Sequence, residues 1–243
     1  FSVTATGTGP IRYQWRFNTV AILNETNATL VIAGAAPPNA GTYDVVVSNN
    51  AGPTPSSPAN LRVNAFDFGD APSPYPSALA QNGARHLLVP GVYLGASVDY
   101  ELDASLSAAA TGDDLNGTDD EDGVRFITAL GVSQMAQVEV VASTNGVLNA
   151  WIDFDANGSW AESGNQIVTN RALTAGTNLL TFLVPATAKT TNTFARFRFS
   201  SSSDLGPTGP AASGEVEDYL VTIIPIADLS ITATDAPDPV AVG

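Results

Sequence analysis

The residues between Asp153 and Glu162 have side-chain types and spacing that suit a hard divalent cation. Oxygen-bearing side chains occupy loop positions one, three and five, and Gly158 follows at position six. Alternate side chains of such a loop can turn inward around calcium, and the glycine allows the bend. Position twelve is Gly164 instead of a bidentate glutamate, so a calcium site would need Glu162. The candidate ligands are Asp153, Asp155, Asn157, Ser159 and Glu162, and the alternative is a turn held by Asx hydrogen bonds with solvated acids.

A second group of candidate ligands combines a dense acidic run with carboxylates from other parts of the sequence. Six acidic residues lie within the ten positions 113–122, and charges that close repel one another unless a cation or water screens them. The candidate ligands of this group are Asp113, Asp114, Asp119, Asp120, Asp122, Asp67, Asp70, Glu215, Glu217 and Asp218. Oxygen ligands, the absence of cysteine and a single histidine favour calcium over zinc or copper. We therefore expect calcium as the cofactor.

The charge distribution argues against some classes of binding partner. The chain has a formal net charge of −15, and residues 65–226 carry six basic against nineteen acidic side chains. Phosphate binding needs clustered lysine and arginine, so we expect neither nucleic acid nor an anionic membrane surface as a partner.

No apolar run is long enough to span a bilayer, so no membrane insertion is expected. Only 14% of residues are charged, which favours a secreted or cell-surface protein whose export signal lies outside this sequence.

No set of residues indicates catalysis. Paired carboxylates occur in any acidic protein and are a weak sign of a glycosidase. The sequence contains no nucleophile elbow, zinc-protease helix motif or phosphate-binding loop. His86, the one histidine, has no serine and aspartate that can be singled out with it. We therefore expect that the chain is not an enzyme.

Short stretches of alternating apolar and polar residues predict an all-β fold. The clearest predicted strands are 136–142, 147–154, 178–184, 192–200 and 219–224. In the fourth, Phe197 and Phe199 share one face while Arg196 and Arg198 share the other, as in a half-buried strand. Clusters of proline, glycine and acidic residues predict three segments: residues 1–64, residues 65–226, and a tail of residues 227–243.

The first segment carries the motifs Tyr13-Gln14-Trp15, Ala28-Thr29-Leu30 and Asn39-Ala40-Gly41-Thr42-Tyr43-Asp44-Val45. It resembles bacterial immunoglobulin-like domains of the intermediate type. The resemblance implies that Trp15 is the core tryptophan and that Tyr43 forms the tyrosine corner. Val3 and Val45 stand at the family's cysteine positions, so packing would replace the disulfide. The family's first strand would be missing, which would leave an open sheet edge.

The second segment carries a longer series of motifs in order. They are Asp67-Phe68-Gly69-Asp70-Ala71-Pro72, Asn82-Gly83-Ala84-Arg85-His86, Tyr93-Leu94-Gly95, Gly112-Asp113-Asp114, Thr118-Asp119-Asp120-Glu121-Asp122-Gly123-Val124, Trp151-Ile152-Asp153-Phe154, Arg196-Phe197-Arg198 and Gly214-Glu215-Val216-Glu217-Asp218-Tyr219. The segment resembles the GEVED domain of large bacterial extracellular proteins. This resemblance implies a second, larger and acidic β-sandwich after the immunoglobulin-like one.

Residues 227–243 resemble the start of a repeat domain of bacterial wall-anchored proteins. Leu229, Ile231 and Ala233 alternate with polar residues, so the tail is either a linker or a strand donated to another copy in head-to-tail assembly. The expected function is a structural segment of a fibre, stalk or adhesin, whose partners are copies of itself or neighbouring domains of a tandem array. The alternative is a carbohydrate- or protein-binding accessory module of a secreted enzyme. Most aromatic residues fall at predicted core positions, which favours the structural function, and Trp160 is the exception.

Overall fold

The structure, a computed structural model, describes residues 1–112 and 120–226 of the 243-residue chain. The chain divides into two compact units. The first comprises Phe1–Asp67 with Tyr100–Leu102, and the second comprises Phe68–Asp99 with the described residues from Asp103 onward. The fold is all-β, as predicted, with short 3-10 helices at Pro37–Asn39 and Leu79–Gln81. Among the described residues, no helix has the length and apolar character needed to cross a membrane.

The first unit contains one antiparallel sheet of five strands. These are β1 (Arg12–Phe17), β2 (Val20–Ala21), β3 (Gly41–Asn49), β4 (Gly52–Pro55) and β5 (Ala59–Leu61). The order is β2–β1–β3–β4, and β5 also pairs with β3. An antiparallel bridge outside the named strands joins Ser2 and Thr29, and the adjacent Val3 and Leu30 pack in the core of this unit. The arrangement is that of an immunoglobulin-like sandwich.

The core of the first unit surrounds the predicted tryptophan. Trp15, Leu30, Tyr43 and Val45 are all buried, and Trp15 lies directly opposite Val45 in the β1–β3 ladder. The Tyr43 hydroxyl donates a hydrogen bond of 2.8 Å to the Asn39 carbonyl, four residues upstream. The assignments of Trp15 to the core and of Tyr43 to a tyrosine corner are therefore confirmed.

The second unit contains most of the strands. They are β6 (Phe66–Phe68) at the boundary, then β7 (Arg85–Leu87), β8 (Val124–Phe126), β9 (Leu130–Gly131), β10 (Met135–Ala142), β11 (Gly146–Ile152), β12 (Gln166–Leu173), β13 (Gly176–Leu183), β14 (Asn192–Ser200), β15 (Pro210–Ala211) and β16 (Glu215–Ile224). One sheet has the order β13–β10–β8, and the other has the order β12–β11–β14–β16–β9. The strands β15 and β7 pair in parallel in a further small sheet. The five predicted strands all correspond to observed ones.

A single apolar core lies between the two large sheets. On β10, alternate residues are buried, as the pattern from Ala136 to Ala142 predicts. Side chains of β11 and β14, including Leu148, Ile152 and Phe197, meet those of β10 in one continuous cluster. This is the geometry of a sandwich in which one face of each sheet is apolar.

Strand β14 differs from the prediction of a half-buried strand, which is wrong. Eight of its nine residues are buried, and Arg196 and Arg198 are fully inaccessible. The face that carries the two arginines is covered by loop segments, because Arg196 donates to the carbonyls of Pro76 and Pro207, and Arg198 donates to those of neighbouring residues 206, 208 and 209. Strand β14 is thus packed on both of its faces.

Candidate metal-binding site

The loop that begins at Asp153 is held together by its own hydrogen bonds. Asp153 is fully buried at the end of β11, and its Oδ1 accepts from the Asp155 amide at 3.1 Å. Its Oδ2 accepts from the amides of Asn157 (2.9 Å) and Gly158 (2.8 Å) and from the Tyr75 hydroxyl (2.7 Å). Burial raises the pKa of Tyr75, which keeps that hydroxyl a donor. These contacts are the ones that an Asx-stabilised turn requires.

The rest of the loop continues in the same way. The Asn157 Oδ1 accepts from the Ser159 amide at 3.0 Å, and the Ser159 hydroxyl oxygen accepts from the Ala161 amide at 3.1 Å. The Glu162 carboxylate accepts a 3.2 Å hydrogen bond from the Asn165 side chain. Sets of three carboxylates whose oxygens approach within 4.8 Å occur among the described residues, but none includes a member of this loop.

Trp160, the tryptophan beside this loop, belongs to the interior. It is 2% exposed, and its indole N–H donates to the Phe194 carbonyl at 3.1 Å. The Arg196 guanidinium lies 4.2 Å from the centre of its ring system, which is a cation–π contact. Trp160 therefore packs as Trp15 and Trp151 do and is not placed for stacking on a sugar.

Asp218 carries the negative charge that faces Arg196 on the side of the sheet that the loops cover. Its two carboxylate oxygens accept from Arg196 Nε at 2.7 Å and from Nη2 at 2.6 Å, and the Ala71 amide donates to it at 2.9 Å. Neither side chain of this ion pair is accessible. Asp70, also buried, accepts from the Gly112 amide at 2.6 Å. A buried, bidentate pair of this kind orients the loops around it.

The side chain of His86 is also part of the packed interior. It is fully buried; its Nδ1 lies 2.8 Å from the Ser213 carbonyl, and its Nε2 accepts from Arg198 Nε at 2.9 Å. Burial, and then the nearby charge of Arg198, lower its pKa well below the usual value, so His86 is neutral.

The two glutamates of the Gly214–Tyr219 motif point in the opposite direction from Asp218. In the β14–β16 ladder, Glu217 lies opposite Phe197, and Glu215 lies opposite Phe199. Directly opposed residues share a face of an antiparallel sheet, so both glutamates project toward the apolar core. Each is 1% exposed. Alternation along β16 thus places two carboxylates on the core face and Asp218 on the loop face.

Two backbone amides reach these glutamates. The Leu94 amide donates to Glu215 Oε2, and the Gly123 amide donates to Glu217 Oε1 at 2.8 Å. Segments 94–99 and 120–123 meet here, since a Cβ atom on Gly123 would lie 2.4 Å from the Leu94 Cβ and 2.8 Å from Glu217 Oε1. Glycine is therefore required at position 123. We name the meeting point of segment 94–99, segment 120–123 and the start of β16 the acidic junction.

Two aspartates of segment 120–123 complete the acidic junction. Asp120, 3% exposed, accepts from the Asp99 amide at 2.9 Å, and Asp122 accepts from the Ala96 amide at 2.8 Å. One carboxylate oxygen of Asp120 lies within 4.8 Å of one from Glu215, and one lies within 4.8 Å of one from Asp99. The structure therefore brings three carboxylates from separate parts of the chain into close range.

The electrostatics of the acidic junction are those of crowded buried acids. Burial raises the pKa of Glu217 to about 8, and the charges of Asp122 and Asp120 act in the same direction. The Gly123 N–H and the Tyr219 hydroxyl act against this shift. Burial, followed by the Glu217 charge, raises the pKa of Tyr219, which stays protonated. The site favours either a proton or a cation next to Glu217.

Four candidate ligands from the sequence are not part of the acidic junction as defined here. Asp67 is 3% exposed and belongs to the first unit. Asp113, Asp114 and Asp119 lie outside the described residues. Asp99 was not among the candidate ligands identified from the sequence, because it stands in no dense acidic run and in no recognised motif.

Known proteins resemble the chain to different degrees. No curated protein matches the chain. The solved structure titled "Sidekick-1 immunoglobulin domains 1-5" is 15% identical over 93% of this chain and 55% of that chain, with a TM-score of 0.26. The "I-band fragment I67-I69 from titin" is 12% identical over 91% of this chain and 90% of that one, with a TM-score of 0.23. Similarities this low add nothing to the assignment of the fold. The GEVED domain family matches residues 147–222, which run from β11 to β16, and this confirms the GEVED resemblance over that region.

Proposed function

We propose that the chain is a non-catalytic structural segment of a secreted or cell-surface protein, and that calcium stabilises its second unit. The observation that carries the proposal is the placement of charged groups in the interior of that unit. Arg196, Arg198 and Asp218 are fully buried and join loops to the sheet. A satisfied polar network of this kind rigidifies a domain.

The aromatic side chains favour the same function over sugar binding. Carbohydrate modules need exposed rings on one face, whereas Trp15, Trp151 and Trp160 are each at most 3% exposed. The accessory-module alternative predicts binding to a polysaccharide or to a partner protein. A glycan array probed with the full chain distinguishes the structural function from carbohydrate binding, because the structural function predicts no specific glycan binding.

Calcium stabilisation is supported by charge and burial together. The second segment carries a net charge of −13, and Asp120, Glu215 and Glu217 are buried within one unit. Buried like charges destabilise a fold unless protons or cations neutralise them. A divalent cation bound only by the folded state would stabilise it by about 2.7 kcal/mol at one hundred times its Kd.

Calorimetry of the full chain tests this proposal. We expect two transitions, and calcium should raise the melting temperature of the second unit by roughly 5–11 °C relative to a chelator at that saturation. The transition of the first unit, which has only two acidic residues in its first 64 positions, should not move. Magnesium at the same concentration is the control. Equal melting temperatures with calcium and with chelator would refute calcium stabilisation.

Assembly by strand exchange is a separate hypothesis, because its donor, residues 227–243, lies outside the described residues. Light scattering of the full chain and of a chain that ends at residue 226 tests it. Strand exchange predicts concentration-dependent polymers for the full chain and monomers for the shortened one. Polymers of the shortened chain would refute it.

A further inference from the structure

We propose that one calcium ion binds in the acidic junction, held by the carboxylates of Asp99, Asp120, Glu215 and Glu217. The inference rests on the proposed function, because it names the site of the calcium that stabilises the second unit. It also assigns ligands from three parts of the chain that are distant in sequence, and it leaves out the loop at Asp153.

The first argument is the convergence of the carboxylates. Asp120 offers oxygens within 4.8 Å of oxygens from both Glu215 and Asp99. Calcium binds oxygens at about 2.3–2.6 Å, so two oxygens on one ion can lie up to about 5 Å apart. The separations of Asp120 from Glu215 and from Asp99 fall within that limit. Backbone amides of segments 94–99 and 120–123 hold Glu215, Glu217 and Asp120 in this orientation.

The second argument is independent and comes from Glu217. Its Oε1 accepts from the Gly123 amide, and the Tyr219 hydroxyl also favours the charged carboxylate, but the buried Oε2 has no hydrogen-bond partner among the described residues. Within the described part of the chain, Glu217 forms no ion pair either. A buried carboxylate oxygen without a donor or cation costs free energy. An ion bound to Oε2 would remove that cost and would offset the repulsion from Asp120.

The third argument concerns the kind of ion. All proposed ligands are carboxylate oxygens, which suit calcium, magnesium or manganese and do not suit zinc or copper. Magnesium keeps several waters and demands near-octahedral geometry, whereas calcium accepts six to eight oxygens in irregular arrangements. Four carboxylates on one strand and two loop segments, nearly inaccessible at Asp120, Glu215 and Glu217, match the second description.

The loop at Asp153 is the competing site, and its contacts argue against it. Each oxygen of Asp153 already accepts at least one hydrogen bond, and four protein donors serve this carboxylate in all. The loop is therefore held closed by the chain itself. In the acidic junction, by contrast, Glu217 Oε2 lacks such a donor among the described residues. The two sites can be separated by substitution.

Isothermal titration of the full chain with calcium chloride, after removal of calcium with a chelator, tests the assignment. The tested variants are Glu217→Gln and Asp120→Asn, and the matched controls in the loop are Asp155→Asn and Glu162→Gln. We expect one strong site in the unsubstituted chain, at least tenfold weaker binding in the two junction variants, and unchanged binding in the controls. Glutamine at position 217 can still accept from the Gly123 amide, so circular dichroism without calcium should match that of the unsubstituted chain.

The outcomes distinguish this inference from the function on which it rests. If Glu217→Gln and Asp120→Asn bind calcium as the unsubstituted chain does, the assignment of the site is wrong. If a loop variant loses binding while the junction variants keep it, the ion lies in the Asp153 loop, and calcium stabilisation would stand without this site. If the unsubstituted chain binds no calcium, both proposals fail.

Discussion

Replacing Asp218 with asparagine removes the negative charge that faces Arg196 inside the second unit. Asp218 accepts two hydrogen bonds from the guanidinium, at 2.6 and 2.7 Å, and one from the Ala71 amide at 2.9 Å. Asparagine keeps one acceptor oxygen and leaves the guanidinium charge uncompensated, although other contacts to Arg196 remain. Removing one partner of a buried ion pair costs about 3–5 kcal/mol.

The size of this effect makes the prediction measurable. In a domain of this length, 1 kcal/mol corresponds to roughly 2–4 °C in melting temperature, so Asp218→Asn should lower it by roughly 6–20 °C. Calorimetry or thermal circular dichroism measures the shift. Glu139→Gln is the matched control, because its ion pair with the largely exposed Arg125 should contribute only about 0–1 kcal/mol. An Asp218→Asn protein within about 1 kcal/mol of the unsubstituted one would refute the structural role of this pair.

Three further substitutions test other parts of the structure. Trp15→Ala should cost the first unit about 3–5 kcal/mol and leave the second transition in place; loss of both transitions would contradict independent units. His86 has a lowered pKa when folded, so its contribution to stability is full above about pH 6.5 and falls as the pH drops below that value. Glutamine in His86→Gln can still accept from Arg198 but does not titrate. Below about pH 6.5, the free energy of unfolding of this variant should change less steeply with pH, by up to about 1.4 kcal/mol per pH unit. An unchanged slope would show that His86 does not titrate as proposed. Gly83→Ala should destabilise the second unit by about 1–3 kcal/mol, because the new Cβ would lie 1.6 Å from the Ser77 carbonyl oxygen. Chemical denaturation measures the change in the free energy of unfolding, and a neutral effect would contradict the packing of this loop.

Much of the fold could be predicted from local patterns in the sequence. Alternation identified β10, β11, β13, β14 and the end of β16, because a two-residue period is a property of each strand by itself. Trp15 and Tyr43 were identified because their motifs fix both the strand and its partner. The burial of Arg196 and Arg198 could not be predicted, since it depends on loops that return from other parts of the chain to cover β14.

The candidate site was only partly predictable for the same reason. The spacing of Glu215 and Glu217 places them on one face of β16, but only the pairing with Phe197 and Phe199 shows that this face is the core. Their approach to Asp120, and the contribution of Asp99, depend on how the chain folds over long separations. The Asp153 loop has the expected sequence pattern, but its hydrogen bonds are also those of a turn without an ion.

A crystal structure of the full chain grown with calcium would test the central claim most directly. Our account predicts one anomalous peak in the acidic junction, with calcium at about 2.3–2.6 Å from oxygens of Asp99, Asp120, Glu215 and Glu217. The loop at Asp153 should keep its internal hydrogen bonds and hold no ion. A calcium ion bound in that loop alone, or a calcium-saturated crystal with no ion beside Glu217, would contradict the account.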